Sequence, residues 1–420
     1  MFDRDRWQEI LHALRKNKIR TFLTAFGVFW GIFMLVVMLG AGKGLYNGVF
    51  YGMGDFALNT LFIWTERTSI PYKGLPRDRY WHFTNEDTQA LLDNIKEIQV
   101  LAPRISSRQG RVEISRDKRS DFFRIVGDTP EYFKIDPVRM HEGRFINKKD
   151  LKEKRKVIVI GKKARDVLFD PEENPVGEYL KIQGVYFEVV GVFSSKRAPN
   201  RGGDYQNELI FMPFSTLQKT YNFGNVVGYY SVLSDRGVPV STVEKKMRLF
   251  LARRHKVSPD DELAFGSANV EENIKNVNNL FTGISMLSWF VGTLTLIAGV
   301  IGISNIMLVI VKERTKEIGI QRAIGATPMK IISQIVLESV FLTTVAGYIG
   351  LLMAAGIVEA VGFVLRKAQV ESFFFRNPEV DFKVATLALF ILIASGALAG
   401  LIPAMRAVKI KPIDALRSEI

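Results

Sequence analysis

Four stretches of this chain are each long and apolar enough to cross a bilayer, and they constrain everything else it can fold into. A hydrocarbon core of roughly 30 Å takes about 20 apolar residues in a helix. Residues 21–42, 276–311 and 384–405 carry no charge, and 331–358 carry a single one, Glu338, close to the start. Between the first and second stretches lies a polar region, 43–275, large enough to be a domain. The expected fold is an integral membrane α-helical protein with four transmembrane helices and a large α+β extracytoplasmic domain inserted between the first and second helices. The expected segments are a cytoplasmic amphipathic helix (1–18), transmembrane helix 1 (19–42), the outer domain with a stalk (43–279), helix 2 (280–311), a cytoplasmic coupling helix (312–330), helix 3 (331–366), an outer loop (367–383), helix 4 (384–404) and a cytoplasmic tail (405–420).

Charge sets the orientation. The net charge of +14 would suit a nucleic-acid binder, but hydrophobic residues (47%) and charged residues (24%) are segregated along the chain, which favours the membrane. Arg4, Arg6, Arg15, Lys16, Lys18 and Arg20 precede the first span; Lys312, Arg314, Lys316, Arg322 and Lys330 separate the second from the third; Arg406, Lys409, Lys411 and Arg417 follow the fourth. Four crossings put these short stretches on one side, which the positive-inside rule makes the cytoplasm. The outer loop dilutes its basic residues with Glu371, Glu379 and Asp381, so the asymmetry is good without being complete. A cleaved signal peptide fits less well, because the apolar core is too long and Leu39-Gly40-Ala41 is a poor cleavage site. With no cysteine, the outer domain holds together without disulfides.

Trp7, Ile10, Leu11 and Leu14 recur at helical spacing among charges, the pattern of an amphipathic helix on the inner membrane surface. Gly27 with Gly31, and Gly396 with Gly400, form GxxxG pairs that suit close packing within one bundle or a dimer seam. Strands are expected at 58–65, 111–115, 122–126, 156–160, 207–212 and 228–233, with a hairpin over 179–193 turning at Gln183-Gly184. The pattern has room for two lobes. Thr84 with Asp87, and Ser241 with Glu244, read as capping boxes. Residues 194–206 form the best loop, either an ordinary surface segment or a partner contact. From Asn269, a candidate cap, to Val311 no proline interrupts a helical pattern that would run about 63 Å. Its first turns would stand above the membrane as a stalk.

Enzyme readings fare badly. Gly40-Ala41-Gly42-Lys43-Gly44 lacks a glycine at Val37 and a hydroxyl at Gly44 for a phosphate loop. His141-Glu142 has Phe145 where a zinc motif needs its second histidine, and four scattered His supply no metal cluster. Neither a catalytic residue, a bound cofactor nor a metal ligand is expected. Glu338, the intramembrane polar group, suits snorkelling or an interhelical hydrogen bond better than proton transport. If the protein transports or transmits, its energy comes from a partner.

The stretch KERTKEIGIQRAIGATPMK (312–330) interrupts this apolar chain with charge. Residues 312–324 suit a short amphipathic helix with Ile318, Ile320 and Ile324 as apolar contacts and Gly325 as a left-handed cap. Thr327 then caps the next helix, with Pro328 in its first position. An ordinary two-helix connector could be built the same way.

The run Glu317-Ile318-Gly319-Ile320-Gln321-Arg322-Ala323-Ile324-Gly325-Ala326-Thr327 closely resembles the EIGIRRALGAT element of the FtsX-like/MacB-like permeases of ABC transporters. The resemblance extends to RKNKIRTFLTAFGVFWGIFMLV, RKVIVIGKKARDVLF, NPVGEYLKIQGVYFEVVGVF, EGRFINKKD, ESVFLTTVAGYIG and IPAMRAVKIKPIDALRSE, so it covers nearly the whole chain in order. It implies a dimerising permease, with a second copy or a sister chain, driven by a separate ABC ATP-binding subunit that carries ATP and Mg2+. It also implies a multi-pass protein of the bacterial inner membrane whose large domain lies in the periplasm. The ATPase-coupling residues implied are Glu313, Glu317, Ile318, Gly319, Ile320, Arg322, Ala323, Gly325, Ala326 and Thr327. Gln321 and Met405 stand where many relatives have Arg, which would alter the ATPase contact without removing it. MacB-like members use a periplasmic adaptor and an outer-membrane channel for efflux. The alternatives within the superfamily are a mechanotransmitting subunit that regulates a periplasmic hydrolase or sensor, and a lipoprotein-release permease.

Overall fold

The computed structural model describes residues 18–50, 56–197, 202–367 and 375–410. The amphipathic helix expected before residue 18 lies outside them, as do most of the basic tail and parts of the loops 194–206 and 367–383. The longer helices are α1 (Lys18–Phe50), α2 (Asn85–Asn94), α3 (Val240–Arg254), α4 (Val270–Glu313), α5 (Thr315–Ala323), α6 (Pro328–Lys367) and α7 (Phe382–Val408). The strands are β1 (Thr60–Thr65), β2 (Phe83–Thr84), β3 (Ile98–Arg116), β4 (Arg119–Asp128), β5 (Arg139–Gly143), β6 (Val157–Gly161), β7 (Tyr179–Ile182), β8 (Val185–Ser194), β9 (Leu209–Pro213), β10 (Val226–Val227), β11 (Tyr229–Ser234) and β12 (Phe265–Asn269). They fall into two compact units, Tyr51–Asn279 on one hand and Met1–Phe50 with Leu280–Ile420 on the other.

The first unit is the α+β domain. Ten strands form one mixed sheet in the order β12-β1-β11-β3-β4-β9-β6-β8-β5, with β7 joined to β3 and β8. The room for two lobes is filled by a single long strand. Residues 98–104 of β3 pair with β11, and residues 105–116 pair with β4, so one strand serves both halves. Every residue of β6 and β9 is buried, as expected of interior strands covered on both faces. The Gln183-Gly184 turn has φ values of 46° and 84°, the double positive φ of a tight hairpin, and it registers Ile182 against Val185 as the sequence predicts. At α2, Thr84 and Asp87 form the expected capping box. At α3 the expectation fails: the helix starts one residue before Ser241, after Pro239, with no side-chain cap, and Glu244 binds Arg248 and Ser267 instead.

The second unit holds helices long and apolar enough to cross a membrane: α1 from Ala25, α4, α6 and α7. Val28, Ile32 and Val36 recur every four residues on α1 and share a core with Leu296, Ile303 and Met307 of α4. Gly31 lets the backbones meet, since a methyl built there would lie 3.3 Å from Leu296 N. On α7, a methyl at Gly396 would overlap Thr343 Oγ1 of α6, and one at Gly400 would come within 2.7 Å of Ser339 Oγ. Both GxxxG pairs are thus used for packing inside one bundle. At the far end of α1, Gly44 O accepts from Arg376 N and Asn47 Nδ2 donates to Asn377 O, which ties the loop before α7 to that end.

Asn269 Oδ1 accepts from Glu272 N at 3.1 Å and so caps α4 as expected. The helix runs 44 residues without a break, about 66 Å at 1.5 Å per residue. That is about twice the thickness of a hydrocarbon core.

Candidate coupling site

Where α4 ends, the chain bends and starts again within two residues. Arg314, with φ of −94° and ψ of 14°, forms the joint between Glu313 and Thr315. The Thr315 hydroxyl donates back to Val311 O at 3.2 Å and Lys312 O at 2.7 Å, a local bond that competes with the backbone and bends helices. The expected helix over 312–324 is therefore shorter, Thr315–Ala323, because Lys312 and Glu313 belong to α4. It closes as foreseen at Gly325, whose φ of 103° suits glycine. Ala326 N donates to Gln321 O at 2.9 Å and Gly325 N to Arg322 O at 3.1 Å, the two bonds of a Schellman motif. Pro328 then opens α6, where its missing amide hydrogen is not needed.

The residues singled out in the sequence divide between two faces of this short element. Ile318 and Gly319 are buried against the bundle, and Arg322 and Ala326 are half-buried. Glu313, Glu317, Ile320, Ala323, Gly325 and Thr327 are exposed. Ile320 and Ile324 were expected beside Ile318 as apolar contacts, but Ile324 is 82% exposed and Ile320 points outward with it. Successive helical residues are about 100° apart, so 318 and 320 lie on nearly opposite sides while 320 and 324 share one. Met329, in the first turn of α6, is 71% exposed as well. The exposed face thus mixes Ile320 and Ile324 with Lys316 and Glu317, a composition suited to a protein partner.

Behind this face, charge fastens the element to the bundle. Arg314 Nε donates to Glu317 Oε2 at 3.0 Å, and its Nη1 lies 3.6 Å from Glu338 Oε2 on α6. Glu338 is buried rather than snorkelling, and it faces Arg314 in an ion pair at 3.6 Å, longer than the expected interhelical hydrogen bond. Arg322 Nη1 donates to Val408 O and, at 3.0 Å, to Ile410 O, at the end of α7. A cavity of about 20 Å³, lined in part by Arg314, Gln321, Gln334 and Glu338, lies beside the Arg314–Glu338 pair. Sequence reasoning weighed Glu338 and Arg314 separately. A lone acid just inside one span and an arginine at the end of another, among other charges, were the available signal for the pair. Among the described residues, no three His, Cys, Asp or Glu side chains are grouped to hold a metal.

The ends of α4, α5 and α7 and the start of α6 therefore meet at one end of the bundle. The chain matches the family described as MacB-like periplasmic core domain over residues 21–249 and that described as FtsX-like permease C-terminal over residues 289–412. It is 30% identical over 409 residues to the pyoverdine export ATP-binding/permease protein PvdT of Pseudomonas fluorescens, covering 96% of this chain and 58% of that protein. It is 27% identical over 412 residues to the macrolide export ATP-binding/permease protein MacB of Psychrobacter arcticus, covering 97% and 58%. The chain thus spans 58% of the length of these curated relatives. Among solved structures, the periplasmic region of MacB from Actinobacillus actinomycetemcomitans matches 53% of this chain and 94% of its own, at 21% identity and a TM-score of 0.42. The chain belongs to the MacB-like/FtsX-like family of ABC permeases, with a periplasmic-type α+β core domain inserted between the first and second of four membrane-length helices.

Proposed function

We propose that this chain is the permease subunit of an exporter, in which a separate ABC ATP-binding subunit hydrolyses ATP and drives movement of the α+β domain. The exposed face of α5 carries the reading. It offers Ile320 and Ile324 to a partner at the end of a membrane bundle, on an element fastened to two other helices. The relatives support an ATP-binding partner, since their names join ATP-binding and permease functions. ATP and Mg2+ would bind on the partner. In this reading the protein sits in the bacterial inner membrane with its α+β domain in the periplasm, and works as a pair with a second copy or a sister permease. A periplasmic adaptor and an outer-membrane channel would complete the path across the envelope.

The continuous α4 fits the task. A capped helix of about 66 Å can pass a displacement along its length without forming a pore. Affinity purification of the chain from its native membranes should recover an ABC ATP-binding subunit, and Ile324→Asp should reduce that recovery at least tenfold without lowering the chain's own yield. Recovery unchanged by Ile324→Asp would overturn the placement of the docking face, and no ATP-binding subunit in the purified wild-type complex would overturn the reading.

A further inference from the structure

Two arginines eight positions apart hold α5 from opposite ends, and they reach different membrane helices. Arg314, at its start, faces Glu338 of α6; Arg322, at its end, faces the last carbonyls of α7. Each contact has a physical reason to persist. The Glu338 side chain is 2% exposed and its neighbours include Ile310, Ile331 and Ile335, so its charge requires a counter-charge. The Val408 and Ile410 carbonyls lie at a helix end, where the final C=O groups have no partner within the helix, and a guanidinium satisfies them. Within α5, only Ile318 and Gly319 are buried.

A helix with so small an apolar footing would roll about its own axis under load. Ties at both ends, to two different helices, prevent that roll. The cavity beside Glu338 has room for about one water, so the ion pair is bounded by a small space rather than packed solid.

We propose that Arg314, Glu338 and Arg322 are positioning residues that divide a push on α5 into two separate outputs, one to α6 through Glu338 and one to α7 through Arg322. The inference rests on α5 being the docking element for an ATP-binding subunit. It assigns no role in docking to Glu338, which is buried, or to Arg322, which turns to the end of α7; Arg314 also reaches Glu317 at the edge of the exposed surface.

The test uses the full chain in complex with its ATP-binding subunit in lipid nanodiscs, and reads amide hydrogen exchange before and after trapping with ATP, Mg2+ and orthovanadate. In the wild type, trapping changes exchange both at the start of α6 and at the end of α7. Glu338→Gln should retain the ATP-binding subunit but shrink the α6 response at least fivefold while leaving that of α7. Arg322→Gln should do the reverse. The double variant Arg314→Met with Glu338→Leu replaces the pair by apolar groups that pack without a buried charge; it should fold, bind the subunit and lack the α6 response. If the double variant or Glu338→Gln keeps the α6 response, the inference is overturned while the docking reading stands. If the wild-type chain recovers no ATP-binding subunit, the docking reading itself falls.

Discussion

Gly400 on α7 faces Ser339 on α6 so closely that a methyl group placed on it would lie 2.7 Å from the serine Oγ and 3.0 Å from Val336 Cα. The Ser339 hydroxyl is committed to Ile335 O at 3.1 Å, so it cannot easily turn aside. Gly400→Val therefore forces the two helices apart, and overpacking of this kind costs about 1–3 kcal/mol. The expected result is a clear fall in the thermal aggregation midpoint of the detergent-solubilised chain. Gly356, which has nothing within 4 Å of the same construction, supplies the control: Gly356→Ala should leave the midpoint unchanged.

In the α+β domain, Asp87 is the acceptor that holds α2 to α3. Its fully buried carboxylate takes Thr84 N at 2.8 Å, Arg254 Nε at 2.6 Å and His255 Nε2 at 2.7 Å. Asp87→Ala removes one half of the α2 capping box and leaves Arg254 and His255 without this acceptor. Breaking a buried pair costs about 3–5 kcal/mol, and since Arg254 reaches solvent the expected loss is about 2–3 kcal/mol. Hydrogen exchange over 85–94 and 240–254 should accelerate in this variant, with the exchange of α7 unchanged.

The same carboxylate sets a pH dependence. Burial works against the Asp87 charge, but the bonds from His255, the Thr84 amide and Arg254 outweigh it and hold its pKa below the ordinary carboxylate value. Asp150 and Asp261 are held low against burial in the same way, by Arg144 and the Asn147 amide, and by Ser69 and the Ile70 amide. A carboxylate whose pKa is depressed in the folded state contributes stability above its unfolded value, near 3.9, and loses it as pH falls through the folded value. The stability difference between the wild type and Asp87→Asn should therefore be full at pH 6 and narrow as the pH drops below about 4. Denaturant titration of the purified chain, followed by hydrogen exchange in 85–94, checks it.

Gly325 ends α5 with φ of 103° and has open space around its Cα. A side chain there meets no neighbour, so any cost comes from the backbone, about 1–2 kcal/mol for a β-branched residue in the left-handed region. Gly325→Val should raise the exchange rate of the Ala326 amide, now bonded to Gln321 O, about tenfold or more. Gly325→Asn, which enters the left-handed region more readily than valine, should fall between valine and the wild type.

How far the sequence carries depends on the range of the interaction. The Gln183-Gly184 turn, the Thr84–Asp87 capping box, the Asn269 cap and the Gly325 stop were all legible, because each is decided within about five residues. The spans were legible because lipid sets a length that apolar runs must meet. The long reach of β3 was not, since the pairing of its two halves with β11 and β4 depends on strands far apart in the chain. Nor were the partners of Asp87, which lie 167 and 168 residues away. At α5 the charged pattern announced the element, while the inward turn of Arg322 depended on where α7 ends.

The absence of cysteine from the sequence makes the central claim directly accessible, because one cysteine introduced anywhere is the chain's only thiol. Ile324→Cys places it on the exposed face of α5, and Tyr186→Cys, at a 60% exposed position of the α+β domain, serves as the comparison. Treating membranes that contain the native partners with a short thiol-to-amine cross-linker should join the Ile324→Cys chain, and not the Tyr186→Cys chain, to an ABC ATP-binding subunit. Cross-linking to that subunit from Tyr186→Cys with none from Ile324→Cys would contradict the assignment of α5 as the docking element.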